Sequence, residues 1–334
     1  MRTLAFLLTL FFLTNCGGTR PGTYHNDAIN QETSLQVTAL HDQVIKALQQ
    51  NKTHVVEGVL SEELKADHDA IHAFLERSSE LLVNSKSKIT DAYHVVNRGS
   101  DAAVSIISED SSSADAFQIR YQAQTPESYV IVSMPNVQGD AYRIFMVFGK
   151  YEESWQLDIL NMGRYTVAEK TAIDFYETAK EEEAKGHLTN AINAMVIATS
   201  IASPADPYWQ YRAHDEMMAY NDALMQKALD AYPMPMSIES IATKPEIFKV
   251  MPQRVEDKIC TMVKYRSSIN INDTIALAAE NALLHDLMPA AFKGIDSEVP
   301  YIFYRVYNEA PKEGVTVPYY GFVNETEQAI KLTP

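Results

Sequence analysis

Val37, Leu40, Val44, Ile45 and Leu48 recur every three or four residues, the spacing of one face of a helix. Just ahead of them, Thr33-Ser-Leu-Gln36 predicts a capping box in which Thr33 accepts from the Gln36 backbone N–H. Ser61 predicts the cap of a short turn, and Asp67 opens a second helix with Ile71, Phe74, Leu75, Leu81 and Leu82 on its stripe. From Lys88 onward the period changes. Residues 89–96, 103–107, 117–123, 129–134, 142–148 and 155–160 are rich in β-branched and aromatic side chains and predict strands, with 149–154 as the loop of a hairpin. Helices followed by a run of strands predict an α+β fold: a curved antiparallel sheet with helices on one face.

The second half returns to helical spacing. Thr166-Val-Ala-Glu169 predicts another capping box and a helix through Ala184, closed by Gly186 and followed by a helix over 188–200. Asp206 before Pro207 reads as an N-cap and a first helical position. That helix is expected to run to about Ala231, with Ala213, Met217, Tyr220, Leu224 and Ala228 as its stripe. Tyr232-Pro-Met-Pro-Met236 then breaks it. Strand-like runs at 259–265, 301–307 and 315–323, with a helix from an N-cap at Asp273 to Met288, predict a small carboxy-terminal α+β domain. Arg305 is the sole charge within YIFYRVY (301–307), which suggests a central strand buried on both faces.

The amino terminus carries a different message. Arg2 precedes LAFLLTLFFL (4–13), an apolar run too short to cross a bilayer but of the length of a signal-peptide core. The Leu13-Thr14-Asn15-Cys16 that follows resembles the lipobox of bacterial lipoproteins, although Asn15 stands where a small residue is usual. The resemblance implies cleavage before Cys16, lipid attachment to Cys16 and an envelope location, with Gly17 leaning toward the outer membrane. Multiple acylation anchors a chain stably where a single acyl chain does not. The expected organisation is a signal peptide at 1–15, a lipidated flexible tether at 16–33, an α+β domain at 34–165, a helical segment at 166–232 and the α+β domain at 233–334.

Loss of Arg2 with the signal would move the formal charge from −16 to −17. So acidic a chain is poorly suited to nucleic acid, whose phosphates demand Lys/Arg patches, and membrane attachment must come from the anchor. With Cys16 lipidated, Cys260 stands alone in an apolar run and reads as a buried, inert thiol.

Two stretches resemble known families. The order and ending of residues 35–163 (YRIFMVFGKYEESWQLDILNM) resemble the nuclear-transport-factor-2-like fold, in which helices and sheet form a cone around a ligand cavity. Small residues at Ala179, Gly186, Ala191 and Ala198, closed by Pro204, resemble one tetratricopeptide repeat. Neither resemblance assigns a catalytic residue.

The sharpest chemical motif is His68-Asp-Ala-Ile-His72. Two histidines at i and i+4 can face one metal as in HExxH, but Asp69 replaces the general-base Glu and a third ligand is needed, with His54 or Glu57 as the nearest choices. Nucleophile-elbow and phosphate-loop motifs are absent, and no cofactor is expected. The sequence therefore favours a non-enzymatic envelope lipoprotein that binds a protein or small molecule. An envelope hydrolase using the amino-terminal cavity and a structural subunit of an envelope assembly are the alternatives.

Overall fold

The computed structural model describes residues 20–99, 104–108, 113, 115–297, 299–312 and 314–327; the apolar leader and Cys16 lie outside the described residues. The fold is α+β. The first half comprises β1 (Gly22–His25), α1 (Gln31–Gln49), α2 (Thr53–Glu57), α3 (Glu62–Lys65), α4 (His68–Leu82), β2 (Lys86–Val96), β3 (Val104–Ser108), β4 (Phe117–Gln122), β5 (Glu127–Val137), β6 (Asp140–Tyr151) and β7 (Ser154–Arg164). Strands β1-β2-β5-β6-β7 form an antiparallel sheet in that order.

Helices α1 to α4 cover one face of this sheet. Val37, Val44, Leu48, Ile71 and Leu75 pack on Ile131, Ile144, Met146, Phe148 and Leu157. Ser61 and Asp67 cap α3 and α4 as expected. Helix α1 is capped by Asn30 rather than Thr33: its Oδ1 accepts from the Glu32 and Thr33 N–H groups at 3.0 and 3.2 Å. Asparagine is the stronger N-cap, and the helix gains its first residues by starting there.

The stretch expected to be tether up to residue 33 is in part a strand. From Gly22 the chain joins the sheet, with Thr23 opposite Val95, Tyr24 opposite His94 and the His25 ring stacked on Tyr93 at 4.4 Å. A four-residue edge strand whose partner lies some seventy residues on leaves no periodic trace in the sequence.

The other face of the sheet is covered by a second layer. After a small hairpin of β8 (Thr166–Val167) and β9 (Lys170–Thr171) come α5 (Ala172–Ala184), α6 (Leu188–Ser200), β10 (Trp209–Tyr211) and α7 (His214–Ala231). Strand β10 pairs with β4 and β4 with β3, making a three-stranded sheet from segments nearly a hundred residues apart. One continuous core joins Val130, Val132, Phe145 and Val147 of the large sheet to Ile119 and Tyr121 of the small one, and to Phe175, Ala179, Met195, Trp209 and Met217.

The helix starts in this region differ from expectation. Thr166 serves the sheet, accepting from the Ala141 N–H at 2.7 Å, and the turn behind it holds Ala168 and Glu169 at positive φ. The capping box is instead Thr171 with Asp174. Pro207 does not start a helix either; the chain makes β10 first, because Trp209 and Tyr211 find partners on β4, and α7 begins at His214.

The remainder forms β11 (Met236–Ser237), β12 (Glu246–Val255), β13 (Lys258–Arg266), α8 (Thr274–Ala291), β14 (Tyr301–Tyr307) and β15 (Tyr320–Glu325). These strands make a five-stranded sheet in chain order, with β13 and β14 parallel across the α8 crossover. Asp273 caps α8 as expected, but the helix continues past Pro289 to Ala291. One face packs Val263, Tyr265, Ile302, Tyr304 and Val306 against Leu277, Leu284 and Met288; on the other, Cys260 and Met262 of β13 are buried too, but Tyr301, Phe303 and Arg305 of β14 are only half-buried. Arg305 therefore does not mark a strand buried on both faces. It is half-buried on the open side, with its guanidinium 4.6 Å from the centre of the Tyr319 ring. Among the described residues, no helix is long and apolar enough to cross a membrane.

Candidate functional site

Strand β6 alternates strictly. Ile144, Met146 and Phe148 face the helices, while Arg143, Phe145 and Val147 face the second layer. A guanidinium is thereby driven into an apolar interface, and Arg143 is only 6% exposed. Aromatic rings box it in. Its guanidinium carbon lies 4.1 Å from the centre of the Tyr165 ring, 4.2 Å from Trp209 and 5.9 Å from Phe117. The box is itself packed, with Trp209 5.2 Å from Phe117 and 4.8 Å from Tyr211.

No carboxylate comes within ion-pair distance of Arg143 among the described residues, and its Nε has no hydrogen-bond partner. The Trp209 Nε1 also lacks a partner among the described residues, and burial, together with the neighbouring Tyr165 hydroxyl, pushes the Tyr211 phenol far above its ordinary range. A buried charge costs several kcal/mol unless it is paired. Unmatched polar groups collected in one place are therefore a functional signal.

A cavity of about 320 Å³ opens beside this group, lined by Asp91, Ser113, Asp115, Ala116, Phe117, Arg143 and Tyr165. Asp91 reaches it because of a β-bulge. The β2–β5 register slips between Ile89 and Asp91, so Asp91 falls opposite Val132 on the second-layer side instead of the helix side. His25 of β1 lies 3.7 Å from the Asp91 carboxylate. Opposite Arg143 on β7 stands Gly163, which leaves room for the Pro204 carbonyl and so lets the loop leading to Trp209 close over the arginine.

A second cleft, of about 520 Å³, lies between α5–α6 and the start of β13 and includes Glu182 and Cys260. Its polar groups are matched. The buried Glu182 carboxylate accepts from Lys185 at 2.6 Å and from Asn190 at 3.0 Å, with His187 at 3.1 Å, while Asn190 also donates to the Gly294 carbonyl at 2.7 Å. Burial works to raise the Glu182 pKa, but these hydrogen bonds outweigh it and hold the group below the usual range. The network joins the hairpin to the end of α8. Cys260 is buried as expected, and burial pushes its thiol up, away from reactivity.

The structure also brings together a serine, a histidine and an aspartate that the sequence reading missed. His41 Nε2 lies 3.1 Å from Ser133 Oγ, and His41 Nδ1 lies 3.0 Å from Asp42 Oδ1. The geometry is that of a nucleophile, base and orienting acid. Ser133, however, has no exposed surface and His41 is 3% exposed, so a substrate carbonyl has no approach. The group fastens α1 to β5.

Burial lowers the pKa of His41 against the pull of Asp42, and lowers that of His94 against the pull of Glu127. Both are neutral in the fold and gain protons on unfolding, from their unfolded value of 6.5 downward. The stability they contribute is present above pH 6.5 and lost as pH falls below it. The urea midpoint is accordingly expected to be lower at pH 5.5 than at pH 7.5, and His41→Gln to flatten that dependence. An unchanged slope in the variant would refute the assignment to His41.

The candidate metal pair is occupied otherwise. His72 Nδ1 lies 3.3 Å from Glu57 and its Nε2 3.3 Å from Glu76, while His68, stacked on His72 at 5.8 Å, is 76% exposed. Glu57, one of the two choices for a third ligand, is a hydrogen-bond partner of His72. Among the described residues no three His, Cys, Asp or Glu side chains converge on a metal position.

No protein-family model, curated protein or solved structure matches this chain.

Proposed function

We propose that this chain is a lipid-anchored envelope protein that binds a small ligand carrying an anionic group, with Arg143 as the receiving cation. The observation that carries the reading is the guanidinium buried in an aromatic box, without a counter-ion among the described residues, at the edge of a cavity. Planar, weakly hydrated and always charged, arginine is suited to carboxylate and phosphate recognition in such a setting. The anionic group supplies the missing partner, and Tyr165 and Trp209 fix the fork that receives it.

The test is calorimetric titration of the purified protein with short-chain carboxylates and phosphate monoesters, each with and without an amino group. Saturable binding that disappears in Arg143→Met supports the reading; binding indifferent to Arg143, or none, overturns it.

A hydrolase using the same cavity is the second reading, and it draws on the two carboxylates, Asp91 and Asp115, beside the arginine. Mass spectrometry of the ligand after prolonged incubation separates the two. A binding protein returns it unchanged.

The anchor is tested separately. Strand β1 starts six residues after Cys16, so the folded body sits within about 20 Å of the lipid. Cys16→Ser is expected to move the protein from the membrane to the soluble fraction and to abolish incorporation of labelled fatty acid. Retention in the membrane would remove the lipoprotein reading without touching the Arg143 site.

A further inference from the structure

Taking the Arg143 pocket as a ligand site, we infer that its ligand is a zwitterion: a small molecule whose anionic group meets Arg143 and whose ammonium group meets Asp91 and Asp115. The inference rests on how the charges are ordered by depth. Arg143 is 6% exposed, the Asp91 side chain 18%, and Asp115 is exposed at the rim. All three line one cavity, yet neither carboxylate pairs with the arginine. The cavity thus presents a positive floor and a negative mouth.

Neither kind of simple ion suits that arrangement. An anion bound at Arg143 lies next to two carboxylates in a chain of net charge −16, and a cation drawn to those carboxylates meets the guanidinium below them. A molecule carrying both charges in the right order meets the guanidinium and the two carboxylates alike. The charges thereby act as a filter as well as an attraction. The bulge at β2 that turns Asp91 toward the cavity is what puts the second charge in place.

Size narrows the class. A cavity of about 320 Å³ lies at the small end of the range for small-molecule sites, roughly 300–1,000 Å³, and so suits a small metabolite or headgroup. Amino acids, ω-amino acids and the phosphoethanolamine group all fit that description. They share one anion and one primary ammonium a few bonds apart. A free metabolite and a lipid headgroup are the two sources, and the proximity of β1 to the lipidated residue puts either within reach.

The experiment is a matched-pair titration of the full protein by calorimetry: glycine against acetate, β-alanine against propionate, and O-phosphoethanolamine against ethyl phosphate. The zwitterion of at least one pair is expected to bind about tenfold tighter or better, the equivalent of one charge-assisted hydrogen bond. Asp91→Asn with Asp115→Asn is expected to bring that affinity down to the level of the matched anion, and to leave or improve binding of the anion itself. The chain-length series reads the spacing between the charges. Phosphoethanolamine presented in vesicles against the free compound separates the headgroup from the metabolite.

Equal affinity within every pair, with both members lost in Arg143→Met, would overturn the zwitterion while leaving the anion site standing. Binding of neither class, or binding that survives Arg143→Met, would remove both. Zwitterion binding that ignores the Asp91 and Asp115 changes would also overturn the inference. Thermal melts of each variant confirm that the fold is intact before its affinities are compared.

Discussion

Replacing Arg143 by methionine is expected to make the protein more stable while abolishing ligand binding. The two halves of this result come from one cause. In the fold the guanidinium has surrendered water on nearly every side, and among the described residues no carboxylate has replaced it. The penalty for desolvating an ion in a protein is several kcal/mol. The compensation available is stacking on Tyr165 and Trp209, about 2 kcal/mol for a desolvated cation–π contact. Desolvation therefore wins. Methionine fills the space of the alkyl stem with an adaptable apolar chain and removes the charge.

A net gain of about 1–3 kcal/mol is expected, read as a rise in the urea midpoint at unchanged slope. Arg143→Lys separates charge from shape: it keeps the cation but loses the planar fork, and is expected to bind weakly without gaining stability. Destabilisation of Arg143→Met by more than about 1 kcal/mol would mean that the arginine is structural, and the site would lose its central argument. Unpaired groups of this kind persist where activity needs them, against the interest of stability.

Arg143 was legible in the sequence by the same rule that drew attention to Arg305. Each is the sole charge in a seven-residue aromatic and β-branched run, YRIFMVF at 142–148 and YIFYRVY at 301–307. What the sequence does not carry is which strand has a second layer over it. Strand β14 has α8 on one side only, and Arg305 lies half-buried against Tyr319. Strand β6 is covered by β4 and β10, and β10 arrives from residues 209–211. The covering strand is three residues long and hidden in a segment with helical signals on either side, so its pairing is a non-local fact.

The elements with long periods were readable for the opposite reason. Helix α6 and strand β14 fall on the expected residues, and the strands β4 to β7 lie within a few residues of them, because each repeats its pattern often enough to be seen. Short edge strands, a one-residue bulge at Asp91 and a glycine kept small for a carbonyl have no period at all. The pocket is built from those features.

The second large effect is expected at Gly163. Its backbone is unremarkable, so the constraint is space. A Cβ there would lie 2.8 Å from the Pro204 carbonyl carbon and 3.1 Å from its Cα, and closer still to the carbonyl oxygen. These are backbone atoms, held by the loop between α6 and β10, and they cannot rotate away as a side chain would. The same loop is fastened by Asn161, whose Nδ2 donates to the Asp206 carbonyl at 2.9 Å, and by Tyr208, stacked on Phe145 at 5.5 Å.

Gly163→Ala must therefore lift the segment that carries Trp209. A loss of about 2–4 kcal/mol is expected, in the upper range for overpacking because backbone must move. Function suffers by a separate route: with Trp209 raised, Arg143 gains water and no longer waits unpaired for a ligand. The protein has two tryptophans, so in a Trp155→Phe background the emission of Trp209 is expected to shift to the red in Gly163→Ala, alongside weaker ligand binding. Gly58→Ala is the control, since its nearest neighbour is an ordinary contact at 3.4 Å. Should Gly163→Ala prove as harmless as Gly58→Ala, the loop would be free to yield, and the burial of Arg143 would no longer depend on the Gly163–Pro204 approach. A red shift with lost binding but little lost stability would instead show that closing the loop serves the site more than the fold.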